Sequence, residues 1–322
     1  MAWSQLIDAL SHDETLSALE TEALFAAVFD GGVPELELGA ILALMERREV
    51  SPPELFGAMS ALSARAFRAA LPDTQWRPVV LPAYVQSRTQ ADALPLLAMS
   101  LQRFGIPVLV HGELGAARGI ATSYILREFG ILPAASLSQA QQLLDAGRVA
   151  FVPTGALAPG LADLVSLRVR LGGGVLARML ARLVDPFQAG ALHVCAIERS
   201  GEAEAVSSVL LDAERSALLF ESPDGSPVVD VRRRPGIVLV AGSETRALFE
   251  AESAERSAHA VPSPQDVKGT VDWIRGILEG RIPMPAPVAN QLACCLYGAA
   301  YAQDFNQAKA IAAIETGSLA VA

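Results

Sequence analysis

Several features that would decide the class of this protein are scarce or absent from its 322 residues. Only three cysteines occur, two of them adjacent at 294 and 295, which excludes a disulfide framework and a CxxC metal knuckle and favours a reduced, cytoplasmic compartment. No apolar run approaches the roughly 18 residues that a membrane span needs. Residues 1–30 lack the basic start and the apolar centre of a secretory signal. The sequence therefore predicts a soluble cytoplasmic protein without membrane contact.

Catalytic and metal-binding motifs are also missing. The four histidines, at positions 12, 111, 193 and 259, show no ligand spacing such as HExxH, and no GxGxxG, Walker-type or GxSxG motif occurs. Three consecutive glycines at 172–174 resemble a phosphate cradle, but they do not follow a predicted strand, so we interpret them as a joint between two helices. The sequence predicts no catalytic residue, no metal site and no cofactor.

Lysine is rare, because only Lys268 and Lys309 occur among the 25 basic residues, which leaves 23 arginines. With 35 Asp and Glu the formal net charge is −10, which argues against a protein coated in nucleic acid. A local basic groove is compatible with this charge, because the field at a phosphate comes from neighbours within about 8–10 Å.

The arginines are clustered in a way that favours such a groove. Four lie between 168 and 182, and two of these are one helical turn apart on one face. Two more lie on loops that follow predicted strands, and arginine forks suit phosphate oxygens. The candidate nucleic-acid-binding residues are Arg88, Arg118, Arg168, Arg170, Arg178 and Arg182. The alternative is that the clusters form solvated faces or ion pairs with the surplus acids.

The first 72 residues predict helices without a strand. Apolar residues recur at helical spacing over 15–29, where the predicted stripe includes Leu16 and Leu19, and over 34–49, where it includes Ile41 and Met45. A third helix is predicted over 53–69. Small helices with broad apolar faces need a partner surface, so this region is a candidate dimer contact, or it packs against the rest of the same chain.

From residue 73 onward, β-branched runs alternate with helical stretches. Such alternation implies βαβ units and a mainly parallel sheet covered by helices on both faces. We therefore predict an α/β protein, with an amino-terminal helical domain over 1–72, joined by helices from 159–185, and a larger sheet domain over 73–322. Residues 222–236 predict a hairpin or a long loop. The predicted strands are 78–83, 106–112, 149–153, 191–197, 217–222 and 237–242.

Ligands bind at the carboxyl ends of the strands in an open α/β sheet. Three loops follow such ends, at 81–90, 110–119 and 152–160. His111 follows a strand and precedes Gly112, a position where a base would face a pocket. The alternative is a histidine hydrogen-bonded to backbone at a turn.

Three stretches occur in a recognisable order: FDGGVPELELGAILALMERR, then VLVHG, then FVPTGALAPGLADLVSLRVRLGGGVLARMLARLVDPF. They resemble the helical domain, the strand that ends in a KHGN motif, and the long arginine-containing block of the anthranilate phosphoribosyltransferase-like (glycosyltransferase family 3) proteins. The resemblance covers nearly the whole chain and implies a nucleoside-phosphorylase/phosphoribosyltransferase-like fold. It also matches Arg168 to the arginine that helps to hold anthranilate.

The chain departs from this family where the family binds phosphate. PAYVQSR at 82–88 replaces the glycine-rich GTGGD loop, whose exposed N–H groups bind pyrophosphate. Val110 and Glu113 replace the lysine and the asparagine of KHGN, and an acid at 113 would repel a phosphorylated substrate. Gly119 stands where a second phosphate-binding lysine is expected. The resemblance thus implies that the phosphate cradle is lost.

The metal-binding acids of the family are replaced as well. Pro227 and Val228 stand in place of the paired Asp-Glu that holds magnesium, which implies that the metal site is lost. His111 and Gly112 then remain as a vestigial pocket.

The same departures are similar to a nucleic-acid-binding, catalytically degenerate branch of the family, as are PAYVQSRTQADALPLLA and NQLACCLYGAA at 290–300. This resemblance implies a homodimer joined through the helical domains, which binds DNA or RNA with little sequence preference and has no transferase activity. One alternative is a phosphoribosyltransferase or phosphorylase with an altered substrate, anchored by His111 and Arg168. Another is a scaffold whose dimer surface contacts a different protein.

Overall fold

The computed structural model describes residues 3–84, 91–115, 120–171, 174–187, 189–253, 261–263 and 265–317. The helices within them are α1 (Trp3–Ser11), α2 (Ala18–Phe29), α3 (Glu35–Arg47), α4 (Pro52–Ser63), α5 (Leu94–Arg103), α6 (Thr122–Glu128), α7 (Leu137–Asp145), α8 (Thr154–Leu157), α9 (Pro159–Ser166), α10 (Arg168–Leu171), α11 (Val175–Leu183), α12 (Glu202–Asp212), α13 (Val267–Leu278), α14 (Ala286–Gly298) and α15 (Phe305–Thr316). The strands are β1 (Val79–Ala83), β2 (Val108–Gly112), β3 (Val149–Pro153), β4 (Leu192–Ile197), β5 (Ser216–Glu221), β6 (Ile237–Ala241) and β7 (Glu244–Phe249).

Two of the amino-terminal helices begin at capping boxes. Ser17 precedes α2 and Ser51 precedes α4, and each serine oxygen accepts a hydrogen bond from the N–H of the glutamate three residues later. Those glutamates, Glu20 and Glu54, accept in return from the serine N–H groups. Because two unpaired N–H groups are satisfied at each helix start, the sequence itself determines where these helices begin.

The buried faces of these helices match the sequence pattern in one case and not in another. α3 buries Ile41, Leu42 and Met45, which confirms the predicted stripe. The predicted stripe of α2 is wrong, because Leu19 is 79% exposed whereas Leu24 and Phe25 are fully buried. Alanine and leucine lie on several sides of α2, so periodicity alone does not select the face that packs.

The helical bundle is closely packed and includes helices from the middle of the chain. A Cβ atom at Gly57 of α4 would lie 2.2 Å from the carbonyl oxygen of Ala18 in α2, so only glycine allows this approach. Similarly, a Cβ at Gly160 of α9 would lie 2.3 Å from the carbonyl oxygen of Phe29. α11 contacts both α3 and α4. The division at residue 72 stays a prediction.

The seven strands form one sheet in the order β3-β2-β1-β4-β5-β6-β7. The neighbouring pairs from β3 to β5 are parallel, and β5-β6 and β6-β7 are antiparallel. This confirms a mainly parallel sheet behind an amino-terminal helical bundle. β7 was not predicted, and the antiparallel hairpin lies at β6-β7, whereas residues 222–236 form no strand.

The two faces of the sheet are covered by different elements. One face packs against α5, α6, α13 and α14 in a core that includes Leu81, Val110 and Leu292. On the other face, Cys195 and Leu219 share a single apolar core with the helical bundle, α11 and α12. The bundle is therefore packed directly on the sheet, and α10 and α11 lie where the two meet. Among the described residues, no helix combines the length and the apolar character that crossing a membrane requires.

Candidate functional site

Three parallel strands end side by side at the carboxyl edge of the sheet. Ala83 of β1, Gly112 of β2 and Pro153 of β3 are paired in register. A Cβ atom at Gly112 would lie 2.2 Å from the carbonyl oxygen of Ala83, so glycine is needed there for the strands to pair. This packing requirement gives Gly112 a structural role that the sequence pattern did not reveal.

Two hydroxyl groups and one imidazole, all buried, are hydrogen-bonded to one another beneath this carboxyl edge. We call these three groups the pocket floor. The hydroxyl oxygen of Tyr84 accepts a hydrogen bond from Oγ1 of Thr154 at 3.1 Å and lies 2.9 Å from Nδ1 of His111. The Tyr84 hydroxyl thus lies between Thr154 and the imidazole ring and links the two. His111 is thus bonded to a side chain, and it neither opens to solvent nor binds backbone at a turn.

Burial keeps the pocket floor neutral. It lowers the pKa of His111 to about 3 and raises the pKa of Tyr84 above its ordinary value. Nε2 of His111 is buried and has no hydrogen-bond partner among the described groups. A neutral imidazole offers no charge to a phosphate. His111, Tyr84 and Thr154 are all buried, so protein atoms cover the vestigial pocket at His111.

Two carboxylates lie beside this floor. Asp92 accepts hydrogen bonds from Oγ1 of Thr122 and from the N–H of Leu94, yet burial outweighs these bonds and raises the pKa of Asp92. Glu113 forms an ion pair with Arg168. Acids at these places disfavour a free phosphorylated ligand in the pocket.

Arg178 and Arg182 lie on α11 and point toward the end of β4. Both bind Glu198, and Arg182 also lies 3.2 Å from Glu202. The side chain of Arg182 is only 2% exposed and that of Arg178 is 22% exposed. The structure therefore brings these two arginines together, as their spacing predicted, but it places them in an internal ion-pair network and not along an open groove.

The acids of this network differ in their protonation. Burial would raise the pKa of Glu198, but the arginines outweigh burial and lower that pKa. Burial and the neighbouring charge of Glu198 raise the pKa of Glu202 despite Arg182. The same arginines therefore outweigh burial at Glu198 but not at Glu202.

The remaining candidate arginines have different surroundings. Arg168 is 10% exposed and paired with Glu113, whereas Arg170 is 68% exposed and paired with Glu35. Arg88 and Arg118 lie outside the described residues. The structure adds Arg199, which follows the carboxyl end of β4, is exposed, and forms no ion pair with the described residues.

Sequence reasoning missed Tyr84, Thr154 and Arg199. Tyr84 and Thr154 directly follow β1 and β3, so a search for polar residues after strand ends would have found both. Among the described residues, no three His, Cys, Asp or Glu side chains lie close enough together to hold a metal ion. The three cysteines are buried and unpaired with one another.

Comparison with known proteins places this architecture in a family. Residues 4–66 match the helical bundle domain of the glycosyl transferase family. The chain is 31% identical to YbiB of Escherichia coli (strain K12) over 89% of each chain. The chain belongs to the YbiB-like branch of glycosyltransferase family 3. Anthranilate phosphoribosyltransferase of Synechococcus sp. (strain WH7803) is 27% identical to this YbiB-like chain, over 99% of this chain and 93% of the relative.

Solved structures show the same fold. The crystal structure of anthranilate phosphoribosyltransferase from Thermus thermophilus superimposes on this YbiB-like chain with a TM-score of 0.76 at 18% identity, over 98% of this chain and 95% of the other. The scaffold of this YbiB-like protein is therefore that of a phosphoribosyltransferase, with a filled pocket floor at the carboxyl edge of the sheet.

Proposed function

We propose that this protein is a non-enzymatic nucleic-acid-binding protein of low sequence specificity, built on a phosphoribosyltransferase scaffold. The observation that carries the proposal is the filled pocket floor. Where a phosphoribosyl donor needs exposed N–H groups and positive charge, this protein has the neutral, hydrogen-bonded series Thr154–Tyr84–His111 and the carboxyl groups of Asp92 and Glu113. The described groups of this pocket floor offer a pyrophosphate leaving group no unpaired positive charge.

The arginines around the filled pocket are the groups that we expect to bind a nucleic-acid backbone. Arg170 and Arg199 are exposed and need little rearrangement to reach a phosphate. Arg168 and Arg178 would first have to release a carboxylate, and Arg182 is almost completely buried. We therefore assign the first contacts to Arg170 and Arg199, together with Arg88 and Arg118, which the sequence pattern favours.

We further propose that the protein is a homodimer joined through its helical domains. Leu36 of α3 is 84% exposed and Val169 of α10 is 68% exposed. Leu171, at 42% exposed, lies over α3, because a Cβ at Gly39 would lie 3.7 Å from its Cδ2 atom. We call these three side chains the apolar patch. Burying them against a second copy removes apolar surface from water, at about 25 cal/mol per Å².

The nucleic-acid proposal is tested by fluorescence anisotropy with labelled single- and double-stranded oligonucleotides of several sequences. We expect similar affinities for all sequences and a steep loss of affinity between about 50 and 200 mM salt. Arg170→Ala and Arg199→Ala should each lower the log–log salt slope by about 0.9 on duplex, the amount expected for one phosphate. Absence of binding at low salt would show that the proposal is wrong.

A matched control comes from the opposite edge of the sheet. Arg103 ends α5, which runs from the carboxyl end of β1 back to the amino end of β2, and Arg281 lines the same groove as Arg103. Both are at least half exposed and paired with a glutamate, as Arg170 is. Arg103→Ala and Arg281→Ala remove the same charge, so an equal loss in these variants would attribute the effect to net charge and not to a site.

The dimer proposal is tested by sedimentation velocity. Leu36→Asp and Val169→Asp should each convert the dimer to a monomer without loss of helical content. Leu132→Asp is the control, because Leu132 is 59% exposed but lies outside the apolar patch. A wild-type monomer at micromolar concentration would contradict the proposal.

A further inference from the structure

Glu54 and Glu113 are each paired with an arginine, and their surroundings differ. Glu54 is completely buried and accepts hydrogen bonds from Arg48, from the N–H of Leu16 and from both the N–H and the hydroxyl of Ser51. Burial would raise the pKa of Glu54, but these bonds outweigh it and lower the pKa. Glu54 thus has the surroundings of a carboxylate that stabilises the fold.

Glu113 lacks such support. Its side chain is 25% exposed, and Arg168 is its only partner among the described residues. Burial raises the pKa of Glu113 and is only partly offset by the attraction of Arg168. The Glu113 carboxyl is therefore held by one ion pair, whereas Glu54 has three further hydrogen bonds besides those from Arg48.

Arg168, in contrast, is held firmly. A Cβ atom at Gly174 would lie 2.5 Å from the Cβ of Arg168, so the backbone of Gly174 packs directly on this side chain. Gly174 is itself fixed, because its N–H donates to both carboxylate oxygens of Glu46 at 2.9 Å. Nη1 of Arg168, which faces Glu113, is buried and makes no hydrogen bond of good geometry with a described group.

We infer that Glu113 is an internal competitor for Arg168, which keeps this arginine from the phosphates of a bound nucleic acid until the pair opens. The inference rests on the proposed function and adds to it an autoinhibitory contact at the same edge. The pair joins α10 to the end of β2, where the bundle meets the sheet. A phosphate offers an arginine fork two oxygens in a well-aligned geometry, which the present pair does not provide.

The test compares Glu113→Gln, Arg168→Met and the double variant in anisotropy titrations with a labelled duplex. Glu113→Gln should raise affinity about tenfold at low salt and steepen the log–log salt slope by about 0.9, as one added phosphate contact would. Arg168→Met should bind no more tightly than the wild type, because it removes the arginine and leaves Glu113 without its partner. The double variant should lose the gain. Glu35→Gln is the control, since it adds the same charge beside Arg170, whose pair is two-thirds exposed, and it should change affinity less than about twofold.

Calorimetry with inorganic phosphate separates this inference from the proposed function. Glu113→Gln should bind inorganic phosphate more tightly than the wild type, and the gain should require Arg168, whether or not oligonucleotides bind. If oligonucleotides bind but Glu113→Gln changes neither titration, the autoinhibitory contact is refuted and the proposed function stands. A gain that survives in the double variant would also overturn it, because Arg168 would not be the site. Glutamine is isosteric and neutral, and circular dichroism checks that each variant is folded.

Discussion

Replacing Arg182 with methionine should destabilise the fold strongly. Replacing an exposed arginine would change the free energy of unfolding little. The Arg182 side chain is 2% exposed, and its two partners, Glu198 and Glu202, are 8% and 7% exposed. Methionine fills a similar volume without a charge. Glu198 keeps Arg178 as a partner, whereas Glu202 loses its arginine and stays buried. Leaving one buried charge unpaired costs about 3–5 kcal/mol.

Protonation sets an upper limit on this loss. The ordinary pKa of glutamate is 4.5, so neutralising Glu202 at pH 7 costs about 3.4 kcal/mol, at about 1.36 kcal/mol per pH unit. At pH 5 the same step costs only about 0.7 kcal/mol. The expected loss in the free energy of unfolding is therefore about 3 kcal/mol at pH 7 and at most about 0.7 kcal/mol at pH 5.

Urea unfolding followed by circular dichroism at both pH values measures these losses. Arg170→Met is the matched control, because the Arg170–Glu35 pair is two-thirds exposed and should contribute less than about 1 kcal/mol at either pH. Adding Glu202→Gln to Arg182→Met should recover most of the loss at pH 7. A loss below about 1 kcal/mol at pH 7, or an equal loss at both pH values, would refute the assignment of Arg182 to a buried ion-pair network.

Three further predictions follow from buried groups. Glu54→Gln should lower the free energy of unfolding by about 3–5 kcal/mol at pH 7. Because folding lowers the pKa of Glu54, the stability advantage of the wild type is present above pH 4.5 and is lost as the pH falls through the folded pKa. Urea unfolding of both proteins over a range of pH measures this difference. Gly112→Ala should lower the free energy of unfolding by about 1–3 kcal/mol, because the added Cβ forces β1 and β2 apart. Gly115→Ala is the control, because a Cβ there meets open space and should change thermal stability little. Equal effects of the two variants would contradict the packing argument. His111 has a folded pKa of about 3 against an ordinary 6.5, so its contribution is complete above pH 6.5 and falls on acidification, by about 2 kcal/mol at pH 5. In His111→Gln the free energy of unfolding should therefore fall less between pH 6.5 and pH 5 than in the wild type. An equal fall in both proteins would show that His111 is protonated as readily in the folded protein as in the unfolded one.

Much of the fold was predictable because it depends on local signals. β-branched runs between helices located β1 to β6 within a few residues. Apolar spacing predicted helices from 15 and from 53, and the capping boxes at Ser17 and Ser51 set their actual starts. β7 was missed because ETRALF is largely exposed at the edge of the sheet and carries no continuous apolar run. The buried face of α2 was wrong because an alanine-rich helix offers several apolar faces, and the neighbours decide between them.

For the candidate site, too, some features were predictable from the sequence and others depended on packing. From the sequence alone we predicted the scaffold and the importance of the carboxyl edge, and the family resemblance implied the loss of the glycine-rich phosphate loop. The structure showed what the sequence could not: Arg182 is buried against Glu198 and Glu202, His111 binds Tyr84, and Glu113 pairs with Arg168. Each of these pairs joins residues from different elements of the fold. An arginine has the same charge in any sequence, but whether it meets water, phosphate or a carboxylate depends on which elements the packed cores bring to the same edge.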